Sequence, residues 1–273
     1  MFSILQKRNA SGSLPAAGAL SEKLANLADI TTGDSAAVGS DVLGLFATAS
    51  VEMWLRAVHS FLISASLTDA SPIWASVAGY YSSHYSVRAF AHLLGYFLLA
   101  KTRKMALRVE VDGRQFLCHM RPKKSGDAEH KFYWRSVKEH SPFDSDPLYN
   151  RNDEDQGNGS DSGHRCRANY LDHIDKFPVF AVLDEAALIQ RVQRIANMHY
   201  SDPPIPRVDS YPDIANVQLI AYHRMVGFRS YLDNRVAGNR FWEIYRNPSW
   251  SHKYLDFQVV EPSFVSSYRE HLP

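Results

Sequence analysis

The chain has 273 residues, and its 30 Lys and Arg against 29 Asp and Glu leave a formal charge of +1. With 45% hydrophobic and 22% charged residues it has the balance of a soluble globular protein of one large or two small domains. That balance excludes a wholly disordered chain, a collagen and a disulfide-dense secreted scaffold, while an excess of Arg over Lys, 20 to 10, favours planar, bidentate grips on phosphate and carboxylate.

Residues 1–40 are rich in Ser, Gly, Ala and Asp and read as a flexible leader, with a short helical stretch over Ser21–Ile30. Lys7 and Arg8 are not followed by an apolar run, so no secretory signal is expected. Asp41 is a good N-cap for a helix over Val42–Leu67, which is apolar almost all round. Its polar exceptions, Glu52, Arg56 and His59, form one narrow stripe. Ser71 and Pro72 are the cap and first residue of a second helix, expected to run from Pro72 to about Lys101. On that helix Ile73, Val77, Tyr80, Val87, Ala91, Leu94 and Leu98 share an apolar band. Trp74, Tyr81, Tyr85, Arg88 and His92 share an adjacent stripe about 60° wide. Two long apolar helices joined by a short turn pack as an antiparallel hairpin. The most apolar run, Ala89–Ala100, contains His92 and is shorter than the roughly 20 residues that span a bilayer.

The period then changes. Met105–Val111, Asp112-Gly113 and Arg114–Met120 read as strand, two-residue turn and strand, and Phe132–Val137 as a further strand. Pro142–Ala168 is a polar loop. Helical periodicity returns from Asp184 to His199, again over Asp213–Val236, and briefly over Phe241–Tyr245, where Pro248 stops it. Tyr254–Val260 has the composition of a terminal strand. The expected fold is mainly α (α+β): one helical-bundle domain over 41–273, built on a long helix hairpin, with a β insertion at about 105–137 and a polar loop at about 142–168.

The second helix reads Gly79-Tyr80-Tyr81-Ser82-Ser83-His84-Tyr85-Ser86-Val87-Arg88-Ala89-Phe90. This run resembles the Tyr-Tyr…Arg-Ala helix of prokaryotic HEPN-like helical domains. The resemblance covers about a dozen residues. It implies a long hairpin packed against later helices in a bundle. It also implies either a toxin, defence effector or RNA-cutting nuclease, with a homodimer as the possible assembly, or a non-catalytic partner of a nucleotidyltransferase. Active members of that family carry Arg, a polar residue, and then His after four to six intervening positions. Five Arg–His pairs here have a compatible spacing; the candidate is Arg246-Asn247-Pro248-Ser249-Trp250-Ser251-His252, which has a polar second residue and follows an expected helix late in the chain, although Pro248 and Trp250 depart from the pattern. On the resemblance, Arg246 would hold the scissile phosphate and His252 would move a proton in metal-independent cleavage through the RNA 2′-hydroxyl. The competing expectation is that Arg246 caps the helix it follows.

Two further groupings carry chemistry. Glu52, Arg56 and His59 on the first helix are expected to face Tyr81, Tyr85, Arg88 and His92 on the second, either as a phosphate or nucleotide site, with Arg56, Tyr81, Tyr85, Arg88 and His92 as its ligands, or as a salt-bridge and tyrosine network that sets helix register. Arg121, Lys123, Lys124, Lys131 and Arg135, interleaved with Phe132, Tyr133 and Trp134, have the composition of a single-strand nucleic-acid surface. Cys118, His119, His164 and Cys166 are the atom types zinc accepts, but their spacing is poor and no metal or other cofactor is expected. There is no phosphate-binding glycine loop, dinucleotide fingerprint, nucleophile elbow or HExxH. Two cysteines fit a reducing, cytoplasmic compartment. The expected function is an RNA-acting protein, with a helical module binding a partner protein or a phosphate ligand as the alternative; no membrane partner is expected.

Overall fold

A computed structural model describes residues 35–99, 105–112, 115–122, 129–138, 185–197, 214–248, 251 and 254–255. Among them are six helices and one four-stranded antiparallel sheet: β1 (Ser35–Ala37), α1 (Ser40–Leu67), α2 (Pro72–Leu93), β2 (Tyr96–Leu99), β3 (Met105–Asp112), β4 (Gln115–Pro122), α3 (Glu129–Lys138), α4 (Glu185–Ala196), α5 (Ile214–Arg235) and α6 (Arg240–Tyr245). The mainly helical fold with a small β insert is therefore as expected.

The hairpin of α1 and α2 is the spine. Gly39, in extended backbone, is the N-cap of α1, and Asp41 sits in the first turn, where a carboxylate complements the helix dipole. The cap is thus two residues earlier than the Asp41 signal implied. Ser71 precedes Pro72 at the start of α2 as expected, although its hydroxyl makes no capping bond. The two helices meet through small residues. Ala75, Gly79, Ser82, Ser86 and Ala89 recur on α2 at alternating steps of four and three, the spacing of a helix–helix seam. All five are buried. Across the seam three serines donate to carbonyls of the opposite helix: Ser50 to Ala89 at 2.8 Å, Ser82 to Ala57 at 2.8 Å, and Ser64 to Ala75 at 2.6 Å. A helical carbonyl has a second lone pair, so these bonds add to the helix ladder without breaking it.

Gly79 is where a third helix closes on the hairpin. A Cβ there would lie 2.7 Å from Val217 Cγ1 of α5 and 3.1 Å from Ser64 Oγ. The amide of Gln218, one residue on, donates to Ser64 O at 3.0 Å and to Thr68 Oγ1 at 2.7 Å. Gly79→Val should therefore cost about 2–3 kcal/mol in urea denaturation, through overpacking that outweighs any gain in helix propensity. Wild-type stability in this variant would show that α5 does not approach so closely.

The second helix ends at Leu93, eight residues before the expected Lys101. Gly95 takes a left-handed φ of 87°, and its N–H closes on His92 O at 3.0 Å. Glycine adopts that conformation without a steric penalty, so it ends the helix cheaply. The aromatic and aliphatic run Tyr96–Leu99 then pairs antiparallel with β3, opposite Met105–Arg108. Sheet order is β1-β4-β3-β2. Ser35–Ala37 lie opposite Leu117–His119, so the end of the expected 1–40 leader belongs to the sheet as an edge strand. Asp112 pairs with Gln115, which sets the centre of the hairpin one residue later than the Asp-Gly signal placed it.

The expected strand over Phe132–Val137 is α3 instead. In a strand, Phe132 and Tyr133 would point to opposite faces. In a helix, Phe132, Tyr133, Ser136 and Val137 gather on one buried side, while Lys131, Arg135 and Lys138 remain partly exposed. Tertiary packing overrides the β preference of these aromatic residues. The helix α5 is buried from Val217 to Arg229 round its whole circumference. The ring of Trp54 on α1 joins it to α6: Nε1 donates to Met225 O at 2.9 Å, and the indole meets Trp242 edge-on at 5.3 Å. An ion pair between Arg191 and Asp69 ties α4 to the hairpin turn. The expected 142–168 loop lies outside the described residues; of the expected strand at 254–260, Tyr254 is in a turn and the remainder past Leu255 lies outside them.

Candidate nucleic-acid interface

The α2 stripe foreseen from the sequence comes together with side chains from α1 and α3. Tyr81, Tyr85 and Arg88 are half-buried along one side of α2, and Trp74, two turns before Tyr81, is 60% exposed. Arg56 reaches this side from α1. Its Nη2 lies 2.8 Å from Glu52 Oε1, and the bond to Glu52 is the main reason its pKa is raised; burial opposes the rise, and the Tyr85 hydroxyl supports it. The expected meeting of Arg56 with Tyr85 is thus present.

Helix α3 adds His130 and Tyr133. The Tyr80 hydroxyl bonds His130 Nδ1 at 2.9 Å, and the rings of His84 and His130 are 4.2 Å apart. Tyr81 touches both Tyr85 and His130, with ring centres 6.0 Å apart in each case. The Arg88 guanidinium lies over the Tyr133 ring with its Cζ 4.9 Å from the ring centre, a cation–π contact. His84, His130 and Tyr133 were not foreseen as part of this cluster. Their only sequence signal was the recurrence of Tyr80, His84 and Arg88 at four-residue steps, and His130 and Tyr133 needed α3 to be recognised as a helix.

His92, expected among the ligand-binding residues, does not reach the open face. It is 1% exposed. Its Nδ1 is 3.0 Å from Tyr96 O, and its Nε2 accepts from Arg88 Nε at 3.3 Å. Burial, and then the charge of Arg88, push its pKa down to about 3. It is therefore a neutral core imidazole, protonated on Nδ1, that positions Arg88 from behind. Correcting the sequence reading, His92 supports the site and does not line it.

The basic and aromatic segment is also rearranged. Phe132, Tyr133 and Trp134 are buried, and the Trp134 ring is covered by the Arg224 guanidinium at 4.3 Å. These rings are not available to stack on bases, as the interleaved composition had suggested. Lys131 and Arg135 lie one turn apart on α3 and are partly exposed, Arg121 lies in β4 opposite Ala106, and Lys123 and Lys124 fall outside the described residues.

Arg246 is the C-cap of α6, its N–H bonded to Trp242 O at 2.8 Å. Its guanidinium meets Glu243 Oε1 at 2.9 Å and Asp233 Oδ2 at 3.3 Å. The same Asp233 carboxylate accepts from Arg229 Nε at 3.3 Å and from Trp242 Nε1 at 2.6 Å. Arg246 is thus engaged in a clamp at the α5–α6 corner, in line with the capping expectation. His252 lies outside the described residues.

Cys118 is buried beside Val109 across the ladder, and burial pushes its thiol up to about 11, so it stays protonated near neutral pH. His119 follows it on the other face of the strand, opposite Arg108. Among the described residues no group of three or more His, Cys, Asp or Glu could hold a metal ion. No helix among them is long and apolar enough to cross a membrane.

Comparison with known proteins finds no matching protein-family model, no matching curated protein and no matching solved structure.

Proposed function

We propose that the protein is a helical RNA-binding module that grips phosphate on the α2 face, through Arg88 and Arg56 with the hydroxyls of Tyr81 and Tyr85 beside them. The observation that carries this reading is the convergence, on one accessible side, of two arginines from different helices, two tyrosines and His130. The Arg88 guanidinium, stacked on Tyr133 and bonded to the buried His92, loses little freedom when it binds a phosphate, and Arg56, on the exposed side of α1, would exchange its bond to Glu52 for one to the phosphate. The HEPN-like resemblance supports RNA as the polymer, and the low cysteine content supports the cytoplasm as the compartment. It also suggests a sharper form, a metal-independent endoribonuclease of a toxin or defence system using Arg246 and His252. The engagement of Arg246 with Asp233 and Glu243 favours the binding form over the cleaving one.

The test is fluorescence anisotropy with a labelled single-stranded RNA at low salt. Arg88→Ala and Arg56→Gln should each weaken binding about tenfold and flatten its salt dependence by about one unit of slope. Unchanged affinity in both folded variants, or no binding by wild type, would refute the reading. Incubation with total RNA decides the sharper form: cleavage by wild type and not by His252→Ala would restore it.

A further inference from the structure

The side of α2 that carries the arginines continues as an aromatic track. Trp74, Tyr81, Tyr85 and Arg88 are spaced seven, four and three residues apart, which keeps all four within a stripe about 60° wide. At 1.5 Å per residue the stripe is about 21 Å long. Its first ring, Trp74, is an exposed indole near the turn of the hairpin. In the middle Tyr81 and Tyr85 lie side by side, with ring centres 6.0 Å apart and planes tilted by 31°. The cations stand at the far end, Arg88 on α2 and Arg56 beside Tyr85. One end therefore offers an exposed indole, and the other end two guanidinium groups, of which Arg56 is paired with Glu52 and Arg88 is stacked on Tyr133.

We propose that this track takes single-stranded RNA, with bases resting on Trp74, Tyr81 and Tyr85 and the backbone phosphates passing Arg88 and Arg56. The inference rests on the RNA-binding reading above and narrows it to an unpaired strand several nucleotides long. A mononucleotide cannot extend over the roughly 21 Å of helix axis between Trp74 and Arg88. A duplex hides its base faces in its own stack, so it could use the cations but not the rings. An acidic peptide would satisfy the arginines and leave Trp74 without a role. Base–aromatic stacking tolerates any base, so the track should show little sequence preference.

The experiment compares fluorescein-labelled oligouridylates of two, four and eight nucleotides, an eight-base-pair RNA duplex, and unlabelled UMP and polyglutamate as competitors. Wild type should bind the four- and eight-nucleotide strands at least tenfold more tightly than the dinucleotide and the duplex. Trp74→Ala, a surface change whose fold is checked by circular dichroism, should weaken the eight-nucleotide strand about tenfold. Tyr81→Leu should weaken the same strand, and Tyr81→Phe should retain most of the affinity because the ring remains. Strand binding that depends on Arg88 but not on Trp74 would overturn the track and leave the RNA-binding reading standing. So would equal binding of the duplex, or displacement by polyglutamate as effective as by RNA. No binding of any RNA by wild type would defeat both.

Discussion

Trp54→Ala should destabilise the protein by about 3–5 kcal/mol in urea denaturation, the largest loss expected from any single side chain described above. Trp54 is fully buried. It is the point where three helices meet: it belongs to α1, its Nε1 donates to Met225 O of α5, and its ring contacts Phe228 of α5 and Trp242 of α6. Truncation removes the transferred apolar area and leaves a cavity that helices locked by the serine seam cannot readily collapse. Trp54→Phe separates the contributions. It keeps an aromatic ring, so most of the packing survives, and Met225 O loses only one donor. That variant should lose about 1–2 kcal/mol. A loss below about 1 kcal/mol for the alanine variant would mean the ring is not central to the core.

Acid should weaken the fold through His92. Its folded pKa is pushed down from 6.5 to about 3 by burial and then by the Arg88 charge. The unfolded chain takes up this proton near pH 6.5, and the folded chain does not until about pH 3. Stability from this group is therefore complete above about pH 6.5. It falls as the pH drops through the window, by at most about 1.4 kcal/mol per unit, and levels off below about pH 3. Between pH 7 and pH 5 the contribution is about 2 kcal/mol. The chain has 12 histidines, so the diagnostic quantity is the difference in pH dependence between wild type and His92→Gln. The wild type should show the steeper decline, and parallel curves would contradict the neutral, buried assignment. Protonation of the folded chain, only near pH 3, would turn Nε2 from acceptor to donor and repel Arg88, so between pH 7 and pH 5 the Arg88–His92 contact of the folded protein should be unchanged.

The legible parts of this protein are those written in short-range periodicity. The hairpin could be read because Val42–Leu67 is apolar almost all round and Ser71-Pro72 is a strong helix start, and both signals act within a few residues. The α2 stripe was legible for the same reason, since 3.6 residues per turn put Tyr81, Tyr85 and Arg88 on one side whatever surrounds them. The errors arose where distant partners decide. His92 falls on the same angular stripe, yet the turn at Gly95 brings Tyr96 and β2 over it and buries it. Phe132–Val137 has strand-like residues, but the aromatic side of α3 docks on α2 and β2, which rewards the helix. Arg246 looked like a phosphate grip in a spacing pattern, and the fold set Asp233 and Glu243 against it.

Composition and periodicity alone were enough to settle a mainly helical chain with a β insert, the antiparallel hairpin and one face of α2, because each depends on local backbone geometry and on which residues avoid water. Tertiary structure alone decided which members of that face stay accessible, which arginines are already paired, and that α3 supplies His130 and Tyr133. Burial and charge pairing depend on residues far apart in sequence: Arg88 is held by a tyrosine of α3, and Trp54 by a carbonyl of α5. No spacing rule along the chain encodes those encounters.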